Sequence, residues 1–299
     1  MSIKPYVLTE TEYVNQEELT YPFEERGLQF GDGVYEVIRV YHGEYYLIEE
    51  HVERLYRSAA AIKLEVPYTK EDMYKRLDQL LQLNAFTGDG KVYLQITRGS
   101  APRDHAFPKG VGANLYAYVS DVPRKLDLME EGISTITEPD VRWDLCYIKS
   151  LNLLPNVMAK QTATEHNCFE AILHKDGKVT ECSSSNVYLV KDGAIYTHPA
   201  TKNILHGCVR IRIEAFANEA GVPFHEEAFH LEDITEADEL FLTSSTAEVM
   251  PIVNVDGKTV ANGTPGKITR LMQQAYEKDA GIPEDASIFA DRSKNKSVS

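Results

Sequence analysis

Twice between residues 169 and 197 the chain alternates around an Asp-Gly pair: FEAILHKDGKVTEC (169–182) and NVYLVKDGAIYT (186–197). A two-residue turn that matches the twist of its strands needs positive φ at both central positions, and Asp-Gly tolerates this well. Two consecutive hairpins are therefore expected, and the second half of the chain reads as mainly β. The first half mixes periods. Residues 33–47 (GVYEVIRVYHGEYYL) are rich in Val, Ile and Tyr and break at His42-Gly43, which predicts two strands and a turn, and 91–97 (KVYLQIT) alternates as a further strand. Between them, Val52, Leu55, Ala59 and Ile62 recur at helical spacing within 49–63, as do Met73, Leu77, Leu80 and Leu81 within 68–83, so each stretch predicts a helix with one apolar face. Further helices are expected over 209–220 and over 267–278, the latter with Ile268, Leu271, Met272 and Tyr276 on one face. The whole is an α+β chain. It divides into a smaller N-terminal domain over 1–120, a charged, proline-containing linker over 121–131, a larger mainly β domain with flanking helices over 132–285, and a loose polar tail over 286–299.

Length agrees with two domains, since 299 residues is about twice the usual single-domain size. The opening MSIKPYVLTETEY has neither the basic start nor the apolar stretch of a secretory leader, and no apolar run approaches the roughly 18 residues a membrane span requires. The chain is accordingly expected in the cytoplasm, where its four cysteines, none in a CxxC pair, read as structural thiols. A net charge of -15 repels nucleic acid and anionic membrane, so any anionic ligand must be gripped by local Arg and Lys. HEEAFH (225–230) has one residue too many for the zinc-binding HExxH spacing, and GDG (31–33) lacks the remainder of a dinucleotide fingerprint. Neither a metal nor a dinucleotide is expected.

Four places could carry chemistry. Lys149 lies in WDLCYIKSLNLL (143–154), among large apolar neighbours. Such surroundings favour the neutral, nucleophilic form of an amine, although a lysine there can also snorkel or pair at the surface. Glu181 follows the second strand of the first hairpin and precedes Cys182 and a run of small hydroxyl residues, where it can face a ligand or simply be solvated. Arg103 and His105 sit on a Gly/Pro-punctuated loop directly after a strand, a place from which a rigid scaffold presents side chains, and Arg is suited to gripping a carboxylate through two bonds. Arg54 falls beside the apolar face of its helix and could equally form an ion pair with Glu50 or Glu53.

In this order and context the motifs resemble one family: RGLQFGDGVYE (26–36), EHVERL (50–55), TRGSAPRDH (97–105), IKSLNLL (148–154) and TECSSSN (180–186). They are those of fold-type IV pyridoxal-phosphate (PLP) enzymes, and the third points to the branch acting on D-amino acids. The likeness runs roughly from Tyr21 to Met272. It implies that Lys149 carries PLP covalently and then moves the proton between substrate Cα and cofactor. Glu181 would face the pyridine nitrogen and keep it protonated. Arg54 would bind the phosphate, helped by the backbone near Cys208 and Val209 and by Ser245, with Leu205 against the ring. Tyr35, Arg103 and His105 would trap the substrate α-carboxylate, the Arg and His coming from the partner subunit of a homodimer. The implied reaction is ping-pong transamination of D-alanine with 2-oxoglutarate through pyridoxamine phosphate. One departure stands out: where the family commonly has a hydroxyl residue beside the phosphate, this chain has Val209.

Two other activities share the fold, the L-branched-chain aminotransferases and aminodeoxychorismate lyase. Neither requires the Arg103 and His105 pair. A binding protein that merely retains the fold would need neither Lys149 nor Glu181.

Overall fold

The computed structural model describes residues 2–290, and positions 291–299 of the expected loose tail lie outside them. The described residues form two compact units, each assembled from separate stretches: 2–124, 141–157 and 200–208 in one, 125–140, 158–199 and 209–290 in the other.

The first unit contains β1 (Ile3–Thr9), β2 (Tyr13–Asn15), α1 (Arg26–Phe30), β3 (Gly33–Tyr41), β4 (Glu44–Tyr46), α2 (Ile48–Ala61), α3 (Lys70–Leu83), β5 (Gly90–Thr97) and β6 (Asn114–Asp121). Its sheet runs β2-β1-β6-β5-β3-β4, antiparallel throughout. The break at His42-Gly43 is the expected turn, with φ of 49° and 82°. Thr69 caps α3 by accepting from the Asp72 amide at 3.1 Å. Val34, Ile38 and Val40 from β3 pack with Leu94 and Ile96 from β5, Val52, Leu55 and Ala59 from α2, and Met73, Leu77 and Leu80 from α3. These side chains are essentially solvent-free, and burial of each of the Val, Leu, Ile and Met side chains stabilises the unit by about 1.5–3 kcal/mol before entropy is counted.

The second unit holds α4 (Leu126–Glu131), β7 (Ile133–Pro139), the greater part of α5 (Leu154–Glu165), β8 (Glu170–Lys175), β9 (Lys178–Cys182), β10 (Asn186–Lys191), β11 (Ala194–Tyr196), most of α6 (Cys208–Glu219), β12 (Phe224–His225), β13 (Glu239–Ser244), β14 (Glu248–Val255), β15 (Lys258–Thr259) and α7 (Lys267–Asp279). Its sheet follows the path β12-β11-β10-β13-β14-β7-β8-β9, with β15 on β14. Both Asp-Gly hairpins form as expected, Asp176-Gly177 at φ 49° and 82° and Asp192-Gly193 at 51° and 77°. The stretch 121–131 carries α4, whose Met129 is buried.

The buried stripe of α7 differs from the expected one. It runs through Thr269, Met272, Gln273, Tyr276 and Glu277, leaving Ile268 and Leu271 half-buried. Polar side chains are accepted inside because backbone groups need them: Gln273 donates to the carbonyls of Met129 and Val249, and Glu277 accepts from Ile288 N and Ser287 Oγ. Through Glu277 the residues 287–288, expected to be loose, are pinned, with Ile288 5 % exposed. Among the described residues, no helix is long and apolar enough to cross a membrane.

Candidate active site

The corner between α1 and β3 sets the site. Glu25 caps α1 by accepting from the Leu28 amide at 2.8 Å, and Gly31 ends it in the left-handed conformation, φ 65°. A Cβ on Gly33 would lie 2.5 Å from the Ile96 carbonyl oxygen, so the bare backbone here lets β3 lie close against β5. Alternation along β3 then turns Val34, Glu36 and Ile38 to the face that α2 covers and Tyr35 and Val37 to the other.

Lys149 is bound into this corner by its backbone. The Tyr35 amide donates to the Lys149 carbonyl at 3.0 Å, Leu151 N donates to Gly33 O at 3.1 Å, and Lys149 N donates to Ser58 Oγ on α2 at 3.1 Å. The half-buried side chain places Nζ 4.3 Å from the centre of the Tyr35 ring. The amine thus rests on an aromatic face.

Arg54 belongs to a buried cluster. Its Nε donates to Glu36 Oε1 at 2.7 Å, Nη2 to Glu36 Oε2 at 2.8 Å, and Nη1 to the His206 carbonyl at 3.0 Å. His51, one turn earlier on α2, meets Glu36 Oε2 through Nδ1 at 2.7 Å and also hydrogen-bonds Cys208. The ion pair weighed with Glu50 or Glu53 gives way to Glu36, a strand residue that shares the core with α2. Burial alone would push the Glu36 carboxyl up, but Arg54 and His51 together hold it well below the usual carboxylate range. Burial opposes charge on His51 as well, yet Cys208 and Glu36 raise it to about 9. Burial raises the Cys208 thiol, and the Arg54 and His51 cations more than reverse this, leaving it lowered. Two cations thus face one carboxylate and one thiol, a donor set suited to an anionic group.

Arg103 and His105 are exposed and meet on Phe30, the last residue of α1: the Arg103 guanidinium lies 4.5 Å from the ring centre, and the His105 ring 5.5 Å away. A cavity of about 260 Å³ opens beside them, lined by Arg26, Phe30, Asp32, His105, Phe107 and Trp143 among others.

In the second unit Glu181, 4 % exposed, is the next-to-last residue of β9, and Asn186 Nδ2 donates to its Oε2 at 3.0 Å. Ser245 is half-buried in the turn between β13 and β14. The hydroxyl run between Glu181 and Asn186 wraps a buried carboxylate: Glu170 accepts from Ser183 Oγ, from Ser184 Oγ at 2.5 Å, from Ser185 Oγ at 3.3 Å and from the Ala171 amide at 3.0 Å.

Glu36, His51 and Glu170 escaped the sequence reading. Glu36 had a signal, an acid at a core-facing position of an otherwise apolar alternation. Glu170 had none beyond the three serines that surround it.

The amino-transferase class IV family model matches residues 33–255. The chain is 44% identical over 271 residues to D-alanine aminotransferase of Bacillus licheniformis, covering 91% of this chain and 95% of that one. It is 46% identical over 276 residues to D-alanine aminotransferase of Listeria monocytogenes, covering 90% and 94%. Among solved structures it superposes on the branched-chain aminotransferase of Thermoproteus uzoniensis with a TM-score of 0.85 at 27% identity, over 95% of this chain and 97% of that one. It also superposes on the branched-chain enzyme of Escherichia coli with a TM-score of 0.85 at 25% identity, over 94% and 96%.

Proposed function

The chain belongs to the amino-transferase class IV family, and we propose that Lys149 is its catalytic base and acid, with Arg54, Glu181 and Ser245 holding the cofactor and Tyr35, Arg103 and His105 holding the substrate. It is an aminotransferase of D-amino acids, and its cofactor is PLP. Bound PLP supplies an electron sink for the charge that develops at substrate Cα. The residues fit such a group: an amine on an aromatic face, a buried guanidinium with a second cation behind it, and a buried carboxylate steadied by an amide.

In this reading Lys149 Nζ takes the proton from substrate Cα and returns it on the cofactor side. Arg54 and the amides of Cys208 and Val209 receive the phosphate, and Val209 adds no hydroxyl. The Glu181 carboxylate keeps a proton on the ring nitrogen, and Asn186 fixes the orientation of that carboxylate. Tyr35, Arg103 and His105 bind the α-carboxylate on the side that presents the hydrogen of the D-enantiomer to Lys149. The loop with Arg103 and His105 serves the partner's site in a homodimer, which accords with the exposure of both side chains. The preferred exchange is D-alanine with 2-oxoglutarate, giving pyruvate and D-glutamate, and it takes place in the cytoplasm.

The observation that carries this reading is the amine of Lys149 over Tyr35, on the strand whose next residue grips Arg54. The branched-chain enzymes share the fold at 25–27% identity, whereas the D-alanine enzymes share 44–46% of the sequence. The test is a half-reaction: PLP-loaded protein is mixed separately with D-alanine, L-alanine and L-leucine, and the cofactor's visible absorbance is followed. Loss of the band with D-alanine alone is expected; loss with L-leucine alone would overturn the assignment.

A further inference from the structure

Asp32, between α1 and β3, is the point on which two arginines converge. Arg26 Nε donates to its Oδ2 at 2.8 Å, and Arg98 donates Nε to Oδ2 at 2.9 Å and Nη2 to Oδ1 at 3.0 Å. Both arginines are buried, at 3 % and 8 % exposure. Each then reaches the loop that carries Arg103 and His105. Arg26 Nη1 donates to the Asp104 carbonyl at 2.7 Å, and its guanidinium lies 4.8 Å from the Phe30 ring centre, the ring that also receives Arg103 and His105. Arg98 stacks at 3.6 Å on Phe107 and donates to the carbonyls of Ile62 and Lys63, just beyond the end of α2.

We infer that Phe30 and Arg26, anchored on Asp32, are positioning residues that preset Arg103 and His105 for the substrate carboxylate. The inference rests on the reading of Arg103 and His105 as carboxylate ligands. An exposed loop between Gly99 and Gly110 would otherwise lose substantial side-chain and backbone freedom when it closes on a ligand. The buried guanidinium on the Asp104 carbonyl removes part of that loss beforehand by fixing the peptide between the two ligating residues. The Phe30 ring removes more, holding Arg103 by a cation–π contact while leaving its outer donors open to a carboxylate. Neither residue touches Lys149 or Arg54 in any contact among the described residues, so their effect should fall on substrate binding and on the choice of enantiomer, with cofactor retention spared.

The experiment compares Phe30→Leu, Phe30→Tyr and Arg26→Lys with the PLP-loaded wild type, measuring kcat and KM for D-alanine, the ratio of D-alanine to L-alanine half-reaction rates, and the rate of PLP loss on dialysis. Phe30→Leu keeps an apolar side chain and removes the ring, so KM should rise on the order of 5- to 10-fold while kcat changes far less. The D-to-L ratio should fall, and PLP loss should be unchanged. Phe30→Tyr restores the ring and should restore KM. Arg26→Lys loses the planar fork and should raise KM likewise, which supplies the answer if the leucine variant folds poorly. Unchanged KM and enantiomer ratio in both variants, or faster PLP loss in step with the KM change, would overturn the inference. Arg103→Ala measured beside them separates the two levels: if it raises KM and the Phe30 and Arg26 variants do not, only the positioning role fails; if it leaves KM unchanged, the carboxylate reading fails and the inference with it.

Discussion

Arg54 meets Glu36 through two parallel bonds, 2.7 and 2.8 Å long, beside a core made mainly of aliphatic side chains. Both side chains are almost solvent-free, at 4 % and 0 % exposure. A buried charge is tolerable only while its partner is present. Glu36→Gln should therefore destabilise the protein by about 3–5 kcal/mol in urea unfolding, because it leaves the Arg54 and His51 cations uncompensated. The same variant should lose PLP faster on dialysis, since the guanidinium is no longer held in one orientation. A variant as stable and as retentive as the wild type would remove the pair from the architecture of the site.

The same cluster makes a pH prediction. His51 has a pKa raised to about 9 in the folded protein against an ordinary 6.5, with Cys208 and Glu36 outweighing the burial that opposes its charge. A raised folded pKa contributes stability that is complete below pH 6.5 and is lost as pH climbs through about 9. The unfolding free energy of the wild type should consequently decline between those limits by more than that of His51→Gln. Parallel pH dependences in the two proteins would show that the imidazole does not hold its proton.

For Lys149 the prediction separates chemistry from fold. Its backbone, bonded to Tyr35 N and Ser58 Oγ, together with the bond from Leu151 N to Gly33 O, secures the segment, while the side chain only rests on a ring. Lys149→Ala should abolish multiple turnover with D-alanine and shift unfolding by no more than about 1 kcal/mol. Retained turnover would sink the catalytic assignment.

Glu170 accepts four hydrogen bonds, three of them from successive serine hydroxyls. Glu170→Ala strips those donors of their acceptor inside the protein and should cost roughly 1–3 kcal/mol in thermal or urea unfolding. Glu170→Gln, which keeps one carbonyl acceptor, should lie between the alanine variant and the wild type. Equal stability of all three would mean that the hydroxyls find other partners.

Local regularities survived into three dimensions where side-chain parity and turn chemistry are decided within a few residues. The hairpins at Asp176-Gly177 and Asp192-Gly193 and the apolar faces of α2 and α3 are of this kind. The partners of charged groups were not legible in the same way. Arg54 has acidic neighbours on its own helix, yet its partner is 18 residues away on a strand, because only that carboxylate shares the buried face. The stripe of α7 shifted for a related reason: Gln273 and Glu277 answer backbone groups of other segments, a demand that hydropathy does not register. Phe30 illustrates a third limit, since an aromatic residue at the end of a five-residue helix gives no hint that a guanidinium from a distant loop will rest on it.

The order in which the two units draw on the chain has a bearing on how the protein can be made. The first unit is complete only when 141–157 and 200–208 have joined 2–124. A growing polypeptide that has reached residue 124 already possesses the six-stranded sheet and Arg54, but neither Lys149 nor Cys208 has yet been synthesised. Lys149 and the thiol against His51 thus join the first unit only after every strand of its sheet has been synthesised. No single cut divides this chain into two pieces that each keep a whole unit, so a split at any one point interrupts at least one of them.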